Sequence, residues 1–281
     1  MNLNYQTILI GLFSGLRLLL TPFLIYVGFA LYIFFKADSM IFLPQPSSYP
    51  DTDEVIKLPV TAKEQISALY LPNPNAMFTL LYIHGNAEDL GDIRPRLEQL
   101  QQSGFSVFAY DYRGYGTSDG QPSEQNAYED VKQVYLYLTQ TLGVNPNRLL
   151  VQGRSLGGGS AVYLATQYPV AGVILESTFT STFRVVVPIP ILPFDKFTNL
   201  QRLPQIHVPI LVIHGEADSV IPIAQGRQLY AAASAPKQML WVPSAGHNNV
   251  PQIAGERYYQ ALTAFQNLVL QQNPEPDLIE E

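Results

Sequence analysis

Apolar and polar positions alternate in two distinct rhythms along this chain. Near the start, Leu18 to Phe35 (LLLTPFLIYVGFALYIFF) holds no charged residue, and the apolar character reaches back to Ile8 with Arg17 as the only charge on the way. As a helix this uncharged run spans roughly 27 Å at about 1.5 Å per residue, close to the hydrocarbon thickness of a bilayer. Arg17 and Lys36 bracket it, and Tyr26 and Tyr32 offer amphipathic rings. A cleaved signal peptide needs an early basic region and a shorter apolar run, and no Lys or Arg precedes Arg17, so the pattern predicts an uncleaved single-pass anchor over residues 1–36. Positive charges nearly balance across its ends, so the sequence assigns no membrane side to the rest.

The second rhythm begins after residues 37–54, a stretch rich in Pro, Ser and Asp that predicts an extended linker. Eight short β-rich runs follow: Val55 to Val60, Ile66 to Leu71, Thr79 to His84, Ser106 to Tyr110, Arg148 to Gln152, Gly172 to Glu176, Pro209 to His214 and Gln238 to Val242. Most of the later ones are nearly continuous apolar runs, as strands buried on both faces of a parallel sheet require, while the first two suit an antiparallel edge. Between them the periodicity predicts helices around Ile93 to Gln102, Asn126 to Thr141, Leu156 to Tyr168, Ala224 to Ala233 and Glu256 to Gln271. This alternation predicts an α/β fold over 55–272, ending in an acidic, Pro-containing tail at 273–281.

Composition narrows the function. With 281 residues, 47% of them apolar, the chain builds one large domain and one small element beyond it. A net charge of −7 opposes nucleic-acid binding. The absence of cysteine excludes disulfides, thiol catalysis, thiolate metal sites and palmitoylated anchors. Only His84, His207, His214 and His247 remain as imidazoles.

In an open α/β sheet, ligands collect outside the carboxyl ends of the strands. After the fifth strand comes Gly153-Arg154-Ser155-Leu156-Gly157, a G-x-S-x-G turn leading into a helix. Such a strained turn exposes a serine hydroxyl, and the helix N-terminus offers the Leu156 N–H to an oxyanion. Alone the motif also fits a structural glycine turn or a phosphate loop, but the lysine of G-x-x-x-x-G-K-[ST] is missing. A neutral alcohol needs a base, and His247, in the small-residue loop SAGHNN after the last strand, is the candidate. His84 and His214 stand at strand ends as His-Gly and are expected to bond backbone, and His207 precedes a strand at the opposite edge. The acid that orients His247 is assigned to Asp218 in HGEADSVIP, with Glu176 as rival and Glu216 read as solvated. The order Ser155, Asp218, His247 is that of the α/β-hydrolase fold. The second oxyanion N–H is expected from the loop His84-Gly85-Asn86-Ala87, at Asn86 first and Ala87 next.

These segments, together with YIHGNAEDLGD, YDYRGYGTSDGQPSEQNAYEDV and GRSLGGGSAVYLA, resemble the α/β-hydrolase superfamily and, within it, the Bem46-like group that includes membrane-anchored abhydrolase-domain proteins. The resemblance covers roughly Val55 to Gln271. It implies an eight-stranded, mainly parallel sheet flanked by helices, and hydrolysis of an ester, thioester or amide without metal or cofactor. Some eukaryotic relatives remove palmitate from proteins and anchor through N-terminal cysteines, which this chain lacks. Related folds place a lid where residues 179–208 fall, here short, apolar and interrupted by Pro188, Pro190 and Pro193. This insertion either packs on the sheet or faces lipid beside an acyl pocket. The expected function is a membrane-anchored serine esterase or thioesterase acting on a small-molecule or acyl substrate, such as an acyl-lipid or acylated protein. The rivals are a serine aminopeptidase, for which the sequence shows no acidic pocket to hold a free amine, and a non-catalytic ligand-binding scaffold.

Overall fold

The computed structural model describes residues 5–272. The acidic tail expected at 273–281 and the side chain of Arg17 lie outside what is described. The chain divides into two compact units, one ending at Ile41 and one beginning at Phe42.

The first unit is a single helix, α1 (Tyr5–Ile41), continuous through Pro22. It runs past Lys36, where the sequence places the start of an extended linker. Nothing in Ala37-Asp38-Ser39-Met40-Ile41 stops a helix, and the Ser39 hydroxyl donates back to Lys36 O at 2.9 Å. The first helix-opposing residue is Pro44, whose ring disfavours helical backbone at the position before it. Among the described residues, α1 is the one helix long and apolar enough to cross a membrane, over Leu20–Ile41.

The second unit opens with a segment the sequence reads as linker but which is bonded into the domain. Leu43 N–H donates to Asn86 Oδ1 and Tyr115 Oη, both at 2.9 Å. Ser48 donates to Asp89 through its N–H and its hydroxyl, and the Tyr49 hydroxyl donates to Asp111. The acceptors sit in distant parts of the chain, which is why a local reading gives no sign of them.

Eight strands follow: β1 (Ile56–Pro59), β2 (Gln65–Leu71), β3 (Thr79–Ile83), β4 (Ser106–Tyr110), β5 (Leu149–Arg154), β6 (Gly172–Glu176), β7 (Ile210–Gly215) and β8 (Lys237–Val242). They form one sheet in the order β1-β2-β4-β3-β5-β6-β7-β8. β1 and β2 are antiparallel at the edge, and every pairing from β4 onward is parallel. The helices are α2 (Leu90–Gln102), α3 (Glu124–Leu136), α4 (Gly157–Gln167), α5 (Phe183–Val186), α6 (Asn199–Arg202), α7 (Ile223–Ala232), α8 (Val250–Ala254) and α9 (Glu256–Gln272). Alternation of side chains sends Leu80, Tyr82, Val107, Leu150, Ile174 and Leu211 into one core with Ile93 and Leu97 of α2 and Leu262 and Phe265 of α9. On the other face α4 lies against β5 and β6, and α7 against β7.

Several element ends differ from the sequence reading by a few residues. α2 starts at Leu90 rather than Ile93, because Asp89 caps it by accepting Gly91 and Asp92 N–H while Asp92 reaches back to the Asp89 N–H. Beyond α3, the predicted helix continues to Thr141 only as a widened turn over Tyr137–Thr141. β5 runs two residues past Gln152, in register with Ile83 on one side and with Leu175 and Glu176 on the other. In the insertion, α5 and α6 are one turn each; Phe179, Phe197 and Leu203 are buried while Val186, Ile189 and Ile191 are exposed.

Candidate active site

Parallel pairing puts the carboxyl ends of β3, β5, β6, β7 and β8 on one edge, and the loops leaving that edge build the site. Between the end of β5 and the start of α4 lie only Ser155 and Leu156. So abrupt a reversal sets Ser155 at φ 51°, a left-handed conformation that costs a non-glycine residue on the order of 1–3 kcal/mol. The neighbouring glycines are obligatory. A Cβ on Gly153 meets Gly157 O at 2.4 Å, and one on Gly157 meets Ile83 O at 2.1 Å. The strained turn is held by Ser155 N–H donating to Glu176 O at 2.9 Å and by Ser155 O accepting the Thr178 hydroxyl at 2.7 Å.

The hydroxyl so presented stands 2.9 Å from His247 Nε2, and His247 Nδ1 stands 2.8 Å from Asp218 Oδ2. An ionised carboxylate only accepts, so Nδ1 carries the proton and the Nε2 lone pair faces the serine. Asp218 is fixed from behind: its Oδ1 accepts Val220 N–H at 2.9 Å and Ile221 N–H at 2.8 Å. Burial pushes the Asp218 carboxyl up, but hydrogen bonds from His214, His247 and the Ile221 N–H outweigh it and hold the group below the usual carboxylate range. Ser155 is 9% exposed and the His247 side chain 11%, so the pair is sheltered from bulk water yet reachable.

The other candidates fall elsewhere. Glu176, the rival acid, is fully buried beneath the turn and bonded to Arg96, Gln152 and Tyr258. Burial raises its carboxyl, and Arg96 and Arg154 more than offset that, so it stays ionised. Glu216 is exposed and bonded to Arg227, and His207 is exposed. His84 Nδ1 lies 2.7 Å from Gly85 O, and His214 Nε2 lies 2.8 Å from Ile221 O, each bonding backbone at its strand end. His214 also approaches Asp218 Oδ2 at 3.4 Å, a support that its His-Gly context in the sequence does not reveal.

Leu156 sits at the head of α4, and Asn86 shares a cavity with Ser155. The Asn86 Oδ1 accepts from the Leu43 and Ala87 N–H groups and from the Tyr115 hydroxyl. The loop itself passes close: a Cβ on Gly85 would lie 3.4 Å from Ser155 Cβ. The cavity measures about 590 Å³ and is largely polar, with Glu88, Asp92, Arg96, Gln99, Asn248 and Gln252 among its walls. Its two acidic walls were not visible in the linear sequence, because Glu88 and Asp92 meet the serine only across the sheet edge. A second cavity of about 390 Å³ lies under the insertion, between Arg184, Pro190, Leu192, Phe194 and Leu200, and Ser155 is not part of its wall. Among the described residues no group of three or more His, Asp or Glu is placed to hold a metal ion.

A mainly parallel eight-stranded sheet that ends its fifth strand in a strained serine turn is the architecture of the α/β-hydrolases. The family model described as serine aminopeptidase, S33, matches residues 74–194. Alpha/beta hydrolase domain-containing protein 17B of Homo sapiens is 39% identical over 203 residues, 71% of this chain and 69% of that protein, and its Xenopus tropicalis counterpart matches to the same extent. The chain belongs to the family of alpha/beta hydrolase domain-containing protein 17 and is a hydrolase. Among solved structures, an esterase of Pyrococcus furiosus superposes with a TM-score of 0.68 at 18% identity, covering 80% of this chain and 99% of that one. An esterase of Thermogutta terrifontis does so with a TM-score of 0.59 at 20% identity, covering 76% and 98%. At such identities the likeness is one of fold.

Proposed function

We propose that this chain is a serine hydrolase that cleaves a carboxylic ester or thioester through an acyl-enzyme on Ser155. The observation that carries the reading is the unbroken line of hydrogen bonds from Ser155 Oγ through the His247 ring to Asp218. As the serine oxygen bonds to the substrate carbonyl carbon, its proton passes to His247 Nε2 and the carbonyl electrons move onto oxygen. The N–H groups of Leu156 and Asn86 are assigned to that oxyanion. The intermediate collapses by expelling the alcohol or thiol, which takes the proton from His247. Water then attacks the acyl group with His247 again as base, releasing the acid and restoring Ser155.

The polar cavity beside Ser155 suits a hydrophilic leaving group better than an alkyl chain. The α1 helix is read as the anchor that holds the enzyme at a bilayer, where acyl-lipids and acylated proteins are the substrates at hand. The 281-residue chain in detergent, assayed on p-nitrophenyl esters of graded acyl length, tests this reading. A release burst equal to the enzyme concentration, lost in Ser155→Ala and His247→Ala, is expected, with preference for chains beyond the short acyl groups. Preference for acetate alone would contradict the lipid-derived substrate while leaving the serine mechanism standing.

A second reading, aminopeptidase action, is favoured by the description of the matching family model and by the carboxylates of Glu88 and Asp92 in the cavity. Against it, Glu88 is engaged by Arg154 and the Gly85 N–H, and Asp92 by the Asp89 N–H. Amino-acid p-nitroanilides turned over faster than the esters would favour the peptidase.

A further inference from the structure

Arg154 separates the body of β5 from the serine, and nothing in a G-x-S-x-G spacing demands a cation at that position. Side-chain alternation puts it on the same face of β5 as Leu150 and Gln152. Its side chain is only 7% exposed. One end of the guanidinium, Nη1, donates to Glu88 Oε1 at 2.6 Å, and that oxygen also accepts the Gly85 N–H at 2.6 Å. The other end, Nη2, donates to Asn248 Oδ1 at 2.6 Å and approaches His247 O at 3.4 Å. One planar group therefore grips the loop after β3 with one arm and the loop after β8 with the other. Gly85 lets the first loop lie against it, since a Cβ there would come within 2.9 Å of Nη1.

We infer that Arg154 is a positioning residue, clamping the loop that carries Asn86 to the loop that carries His247 so that oxyanion donor and base keep a fixed separation across Ser155. The inference rests on the serine-hydrolase reading above. A rigid fork with donors at both ends is what such a bridge needs; a lysine, a single point of donation on a flexible stem, reaches one loop or the other. Glu88 supplies the countercharge, so the clamp positions the loops without leaving an unpaired cation beside the imidazole.

The test is steady-state hydrolysis of p-nitrophenyl acetate by the full chain in detergent, with Tm measured for each variant. Arg154→Lys keeps the charge but can hold only one loop at a time, and Asn248→Ala removes the contact on the loop after β8, so each variant breaks the bridge. Each is expected to lower kcat about 10- to 100-fold, the scale of a misplacement near 1 Å, with KM and Tm close to wild type. Because both break one bridge, the double variant is expected to be no slower than the slower single variant. Wild-type kcat in Asn248→Ala and Arg154→Lys, losses that multiply in the double variant, or losses that follow Tm would each overturn the clamp. Ser155→Ala is assayed alongside. Turnover surviving in Ser155→Ala overturns the nucleophile assignment, whereas an inactive Ser155→Ala beside fully active clamp variants overturns the clamp alone.

Discussion

Asp218 and Glu176 show how little of a residue's role its charge decides. Both are buried carboxylates at neighbouring strand ends, and both are held ionised. Asp218 spends its acceptors on two backbone N–H groups and the His247 ring, whereas Glu176 spends its own on Arg96, Gln152 and Tyr258 beneath the sheet edge. The two substitutions are therefore expected to part company. Asp218→Asn should lower kcat on the order of 10⁴-fold by presenting the wrong tautomer of His247. Glu176→Gln should instead destabilise by roughly 3 kcal/mol, because it leaves the largely buried Arg96 guanidinium without its counter-ion. Kinetics and thermal melts on the two variants check both outcomes. Asp218 also makes an acid-stability prediction. Its folded pKa lies below its unfolded value, so its stabilisation is complete above the unfolded value of about 4 and is lost as pH falls below it. The Tm gap between wild type and Asp218→Asn should narrow below that point.

Among the elements, the turn after β5 and the segment before β1 mark the limits of what the sequence discloses. Ser155, Gly153 and Gly157 were legible because the constraint is local: three residues, one reversal, two positions where a Cβ meets backbone oxygen. The strands were legible because their apolar runs are continuous. The role of residues 42–49 was not, since Leu43, Ser48 and Tyr49 find their partners at Asn86, Asp89 and Asp111, brought near only by the finished fold. Arg154 was missed for the same reason, its partners lying 66 and 94 positions away. A truncation beginning at Phe42 is accordingly expected to keep its rate on short soluble esters. One beginning at Pro50 should lose both Tm and kcat, because it strips the support from Asn86 and from the cap of α2.

At the scale of the whole molecule, a hydrolase domain follows a helix of bilayer-spanning length and composition. The serine lies against a polar cavity, while exposed large apolar side chains include many along α1 and, in the insertion, Val186, Ile189 and Ile191. The 281-residue chain is expected to sediment with membranes and to resist extraction by high salt, which weakens charge contacts and leaves apolar insertion intact. The central claim, that Ser155 is the nucleophile, is tested most directly by treating the protein with a fluorophosphonate and mapping the adduct by peptide mass spectrometry. The account predicts one adduct, on the peptide carrying Ser155, absent from Ser155→Ala. An adduct on another serine, or label that persists in Ser155→Ala, would contradict it.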